Sequence, residues 1–121
     1  AGFPKEMLLM GAAFYSRKWE NVKDRYHGFL QYTEKGGGYG PNYDELAEKY
    51  IDKNGYVSYW DDEAKAPFLF NGSTFISYDD ERSLACKCRY VKEEGIGGIF
   101  YWCHSGDTSG VLLRKIGEEI R

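Results

Sequence analysis

The sequence predicts an α+β fold in which two βα units of a parallel sheet flank a small antiparallel sheet with a helix. Three observations carry that prediction. Two continuous apolar runs, residues 7–14 (MLLMGAAF) and 96–102 (IGGIFYW), lie far apart in the chain. Between them sits a hairpin signal built on Asn71-Gly72. Helical periodicity then flanks the second apolar run on both sides.

Residues 7–14 follow Pro4 and precede charge, and the run is too short for a buried helix. Its lack of polar alternation suits a strand covered on both faces, as in a parallel sheet. Gly36, Gly37 and Gly38, with Gly40-Pro41, read as a loop without the spacing of a phosphate-binding motif. Asn42 and Glu45 match a capping box and open a helix expected to end near Asn54-Gly55. Residues 56–60 read as a short strand. Residues 68–70 and 73–78 around Asn71-Gly72 read as a hairpin with a type I′ turn. Asp79 or Asp80 can cap a helix running to Glu94, with Leu84, Cys88 and Val91 on one face and Gly95 as its stop. Residues 96–102 form the second buried strand. Thr108 or Ser109 can cap a last helix whose apolar stripe is Leu112, Leu113, Ile116 and Ile120.

Composition narrows the function. The 16 Lys+Arg against 19 Asp+Glu leave a net charge of -3, without the basic surplus that nucleic acid requires. No apolar run approaches the roughly 20 residues of a membrane span. With 11 Tyr, the chain is rich in flat amphipathic side chains of the kind that stack on ligands. The 3 Cys cannot complete a disulfide framework. Cys86 and Cys88 fall in the predicted helix, where positions two apart point away from each other. A metal site from these with Cys103 and His104 is therefore disfavoured, although pairing of one of them with Cys103 stays open. The chain opens at Ala1 with no initiating Met and no signal-like segment, and is expected to be a processed piece. Two parallel strands neither close a sheet nor cover it, which points the same way.

Four stretches in order resemble the C-terminal part of the catalytic barrel of glycoside hydrolase family 18 chitinases. Leu9-Met10-Gly11-Ala12-Ala13-Phe14-Tyr15-Ser16-Arg17 looks like the seventh barrel strand, with Ser16 where glycine is usual and Ala13 where proline is common. Tyr59-Trp60-Asp61-Asp62 with Ala66-Pro67-Phe68 looks like the insertion domain. Tyr78-Asp79-Asp80 with Ser83 and Lys87 resembles the opening of the seventh helix. Gly95-Ile96-Gly97-Gly98-Ile99-Phe100-Tyr101-Trp102 resembles the eighth strand, here followed by an unusual Cys103-His104. The resemblance implies a barrel strand at 1–17, an α+β chitinase insertion domain at 18–77, and a helix-strand-helix unit of a TIM (β/α)8 barrel at 78–121. The barrel is incomplete in this chain.

Function in such a barrel gathers at the C-terminal ends of its strands. The resemblance implies that Trp102 forms the floor beneath the sugar at the cleavage point, that Arg17 donates hydrogen bonds to its hydroxyls, and that Tyr15 lines the same subsite. The plainer readings are core packing for Trp102, a rim tyrosine and a surface arginine. Glu45 is divided between the cleft wall and helix capping. Asp61-Asp62 and Asp79-Asp80 read as a turn and a helix cap rather than as glycosidase acid pairs. The family's Asp-x-x-Asp-x-Asp-x-Glu motif, which ends in the general acid, is absent from the chain, and so is its Met-x-Tyr-Asp stretch. No catalytic residue, cofactor or metal is therefore expected here. The expected partners are chitin or a chito-oligosaccharide and the missing N-terminal part of the barrel, outside the cell, with no nucleic acid and no membrane. A chitinase-like lectin and an α+β module unrelated to sugars are the alternatives. The isolated chain is expected to pair its two barrel strands and self-associate.

Overall fold

A computed structural model describes residues 2, 4–33, 36–102 and 104–121, with the backbone alone for His104. The two apolar runs form strands β1 (Leu9–Ala13) and β7 (Gly98–Trp102). They pair in parallel, from Leu9 opposite Gly98 to Ala13 opposite Trp102. A single 3-10 turn, Lys5–Met7, precedes β1.

Side chains alternate across a strand, so each strand presents two different faces. Ala12, Phe14, Ile99 and Tyr101 face two helices, α2 (Glu81–Glu94) and α3 (Val111–Glu119). Leu84 and Cys88 of α2 and Leu112 and Ile116 of α3 complete that core. Phe14 is fully buried and stacks on Tyr101 with ring centroids 4.7 Å apart. The opposite face is open in this chain. Leu9 is 60%, Phe100 52% and Trp102 69% exposed. A continuous apolar run says that both faces favour apolar contact; it does not say that this chain alone supplies it.

Between the two strands lies a five-stranded antiparallel sheet, in the order β3-β2-β6-β5-β4. Its strands are β2 (Ser16–Trp19), β3 (Gly38–Tyr39), β4 (Val57–Asp61), β5 (Ala66–Phe70) and β6 (Phe75–Tyr78). One face packs Leu69, Ile76 and Tyr78 against Leu46, Tyr50, Ile51 and Tyr56. The other carries an aromatic row from Tyr59 through Phe68 and Phe75 to Trp19. Helix α2 begins as predicted, with Asp80 as N-cap in a reciprocal capping box with Ser83, and ends at Gly95 in the left-handed region (φ 68).

Four local expectations are corrected. Asn42 makes no side-chain cap, and the predicted long helix is a three-residue α1 (Tyr43–Glu45) running into a π-helical turn, Leu46–Tyr50. The hairpin turn holds four residues, because Phe70 pairs with Phe75; Asn71 Oδ1 accepts from the N–H of Ser73 and Thr74 instead of forming a type I′ turn. The N-cap of α3 is Gly110 rather than Thr108 or Ser109, although Ser109 Oγ accepts from Val111 N–H at 3.4 Å. Asp107, although outside the helix, accepts from the N–H of Leu112 at 2.9 Å and of Leu113 at 3.2 Å. The glycine loop contains β3, and a Cβ on Gly37 would run into the Trp19 indole, so the glycines there permit close packing.

Candidate functional site

Because β1 and β7 run parallel, their C-terminal ends lie together; Tyr15 and Arg17 follow β1 there, and Trp102 closes β7. Phe14 N–H donates to the Trp102 carbonyl at 2.7 Å, and the Phe14 carbonyl accepts from Tyr43 N–H at 3.1 Å. The start of α1 is thereby laid across the strand ends. Asp44 fastens it to the loop after β7 by accepting from the Thr108 backbone N–H at 2.8 Å and hydroxyl at 2.7 Å. Burial raises the Asp44 carboxyl, but the Thr108 hydrogen bonds outweigh it and hold the group below the usual carboxylate range.

Tyr15 and Arg17 come together around a residue that the sequence did not reveal. Tyr39 meets the Tyr15 ring edge-on at 5.6 Å, and the Arg17 guanidinium lies 5.0 Å from the Tyr39 ring centre. Tyr39 sits between two glycines on a two-residue strand, where no periodicity can show. Tyr15 and Arg17 line an open cavity of about 570 Å³ with Ser77, Asp79, Lys87 and Tyr90. Trp102 does not line it. Its indole closes β7 on the open face of the strand pair. Glu45 is exposed on α1 and does not line the cavity either.

The second set missed from sequence is the Asp79–Lys87 pair. Asp79, read as a possible cap, is buried and accepts from Ala13 N–H at 2.9 Å, Ser83 Oγ at 2.8 Å and Lys87 Nζ at 2.6 Å. Lys87 Nζ also donates to the Gly11 carbonyl at 2.8 Å. The available signal was spacing, since Asp79, Ser83 and Lys87 follow one another at four-residue steps. Asp80 is the cap, and burial pushes its carboxyl above the usual range despite the Ser83 bonds.

Asp61-Asp62 forms the turn read from the sequence. Asp61 accepts from the N–H of Glu63 and Ala64 in a turn, and Asp62 pairs with Lys65 at the surface. Burial raises the Cys88 thiol, and Cys86 is half-buried; both are free. Cys103 and the His104 side chain lie outside the described residues. Among the described residues no group of His, Cys, Asp or Glu is placed to hold a metal ion. No helix of the described residues is long and apolar enough to cross a membrane.

The family model of the glycosyl hydrolases family 18 matches residues 1–107. Chitinase A1 of Niallia circulans is 38% identical over 99% of this chain and 18% of its own length. The structure superposes with a TM-score of 0.96 on a family 18 N-acetylglucosaminidase from Paenibacillus barengoltzii, at 50% identity, covering 98% of this chain and 35% of that one. It superposes with a TM-score of 0.84 on a mutant class V chitinase from Nicotiana tobaccum in complex with NAG4, at 26% identity, covering 98% of this chain and 36% of that one. The chain thus spans only about a fifth to a third of these relatives. A parallel pair ending in Trp102, an antiparallel insert and a matching family model over most of the sequence lead to one assignment: the chain belongs to the glycosyl hydrolases family 18.

Proposed function

We propose that the protein carrying this chain is a chitinase-type glycoside hydrolase that cleaves β-1,4-linked N-acetylglucosamine polymers outside the cell. The observation that carries the reading is the common end of β1 and β7, where Tyr15 and Arg17 follow one strand and Trp102 terminates the other. An exposed indole at that end suits the apolar face of a pyranose, and a guanidinium suits its hydroxyls. The NAG4 complex of a relative supports a sugar ligand of this kind.

In this reading a general-acid Glu from another part of the protein protonates the leaving oxygen while the substrate's own N-acetyl group attacks. That substrate-assisted route retains configuration without a second protein carboxylate as nucleophile. This chain supplies cleft wall and floor, Trp102 beneath the sugar and Arg17 and Tyr15 beside it, with Glu45 a weaker candidate for the wall. Alone it is inactive. The test compares the full-length protein with the 121-residue chain on a chito-oligosaccharide. Product release by the full-length protein alone is expected. Release by the isolated chain overturns the proposal, and binding without cleavage by the full-length protein replaces it with a lectin.

A further inference from the structure

Strand β1 has two edges, and only one of them is paired with β7. In a parallel ladder the N–H and C=O of a residue point to the same side, and the side alternates along the strand. Phe14 N–H points to β7, so Gly11 and Ala13 turn their polar groups to the other edge. A neighbouring strand would satisfy this edge with a single residue, which would donate its N–H to the Gly11 carbonyl and accept from Ala13 N–H. Two side chains of α2 and its entry segment do this instead. Lys87 Nζ takes the place of the donor at 2.8 Å from Gly11 O, and Asp79 Oδ2 takes the place of the acceptor at 2.9 Å from Ala13 N. The two are bonded to each other at 2.6 Å, and the other Asp79 oxygen accepts from Ser83, itself locked in the α2 capping box.

We propose that Asp79 and Lys87 are positioning residues that stand in for one residue of a strand neighbour, end strand pairing on this edge below Gly11, and hold the end of β1 so that Tyr15 and Arg17 face the sugar. The role given to Tyr15 and Arg17 rests on the function proposed above; the replacement of the ladder does not. A real strand running past Ala13 would occupy the space beside Tyr15. The ion pair satisfies the same two backbone groups from the side, and in this chain Asp79 and Lys87 line the same cavity as Tyr15 and Arg17. A buried backbone donor without a partner is costly, so removing the pair frees the strand end to move.

The test uses the full-length protein with Lys87→Met, Lys87→Arg and Asp79→Asn. In Lys87→Met and Asp79→Asn, amide exchange at Ala13 is expected to speed up by about tenfold or more, while Ala12 and Phe14, bonded to β7, stay protected. KM for a chito-oligosaccharide rises several-fold with a smaller change in kcat, and Lys87→Arg restores both. Faster exchange with unchanged KM overturns the positioning role. Lost activity with Ala13 still protected overturns the coupling between pair and strand. A structure of the unmutated full-length protein decides the point even if a variant fails to fold. Gly11 O and Ala13 N bonded to a neighbouring strand, rather than to Lys87 and Asp79, sink the proposal. If the unmutated protein turns over no sugar, the function proposed above fails, and exchange and structure still judge the ladder replacement.

Discussion

Truncating Trp102 separates a sugar floor from a core residue. A tryptophan presents up to about 250 Å² of surface. In this chain 69% of Trp102 is exposed, about 170 Å², and a sugar ring lying on one face in the proposed cleft hides roughly half of it. At about 25 cal/mol per Å², that contact is worth about 2 kcal/mol, or roughly thirtyfold. The packed remainder is small, so Trp102→Ala is expected to cost the fold at most about 1–2 kcal/mol. The assay is kcat/KM on a chito-oligosaccharide with the full-length protein, beside thermal unfolding of the same variant. Trp102→Ala should lose about thirtyfold in kcat/KM while remaining folded. Trp102→Phe, which keeps a flat apolar face, should lose less. A kcat/KM within about threefold of the unmutated protein refutes the floor. An unfolded Trp102→Ala makes the indole a packing residue.

Three further outcomes are expected from the packing and hydrogen bonds of the chain. Asp107→Ala removes the carboxylate that accepts from Leu112 and Leu113 N–H, and should cost about 2 kcal/mol in a urea titration; an unchanged midpoint with an unchanged slope contradicts this capping role. Gly97→Ala places a Cβ against the Glu6 carbonyl and 3.0 Å from the Leu8 carbonyl, which is backbone and cannot swing away. It should loosen the base of the β1–β7 pair by about 2 kcal/mol, and wild-type amide protection at Leu9 and Gly98 would contradict that. Burial, reinforced by nearby carboxylates, pushes the phenols of Tyr43 and Tyr78 up to about 12. Their contribution to stability is therefore complete below the ordinary phenol value of 10.0 and is lost as the pH climbs from there towards about 12. Phenolate absorbance should show two late tyrosines whose ionisation coincides with unfolding; full ionisation of all phenols near the ordinary value in a folded protein speaks against it.

How far the fold was legible depends on how local each signal is. Helix α2 declares itself through Asp80, Ser83, the Leu84–Cys88–Val91 spacing and Gly95, because a capping box and a 3.6-residue stripe lie within one segment. Strand β2 does not. Its residues are Ser-Arg-Lys-Trp, polar and only partly buried, and it becomes a strand because β6 and β3 pair with it. Helix α1 was overestimated for the converse reason. The Asn42 side chain does not cap it, and tertiary bonds from Tyr43 N–H to Phe14 and from Thr108 to Asp44 place this segment instead. The positions of Tyr15 and Arg17 just past one apolar strand and of Trp102 at the end of the other were legible from the two runs themselves. Tyr39 was not, and neither were the bonds of Asp79 and Lys87 to β1, since the partners lie 24 and 22 residues away for Tyr39–Tyr15 and Tyr39–Arg17 and 66 and 76 for Asp79–Ala13 and Lys87–Gly11.

By itself, the sequence determined two apolar strands, the capped helix between the insert and the second of them, and the order of pieces that marks the family. Runs of one hydrophobic character and helix caps are written in neighbouring residues, so no tertiary knowledge is needed to read them. Only the tertiary structure decided which face of the strand pair stays open, which tyrosine gathers Tyr15 and Arg17, and how a lysine and an aspartate come to finish the edge of β1. Those features arise from contacts between distant segments. The physical reason is that hydrogen-bond and steric complementarity across space leaves no periodic trace along the chain.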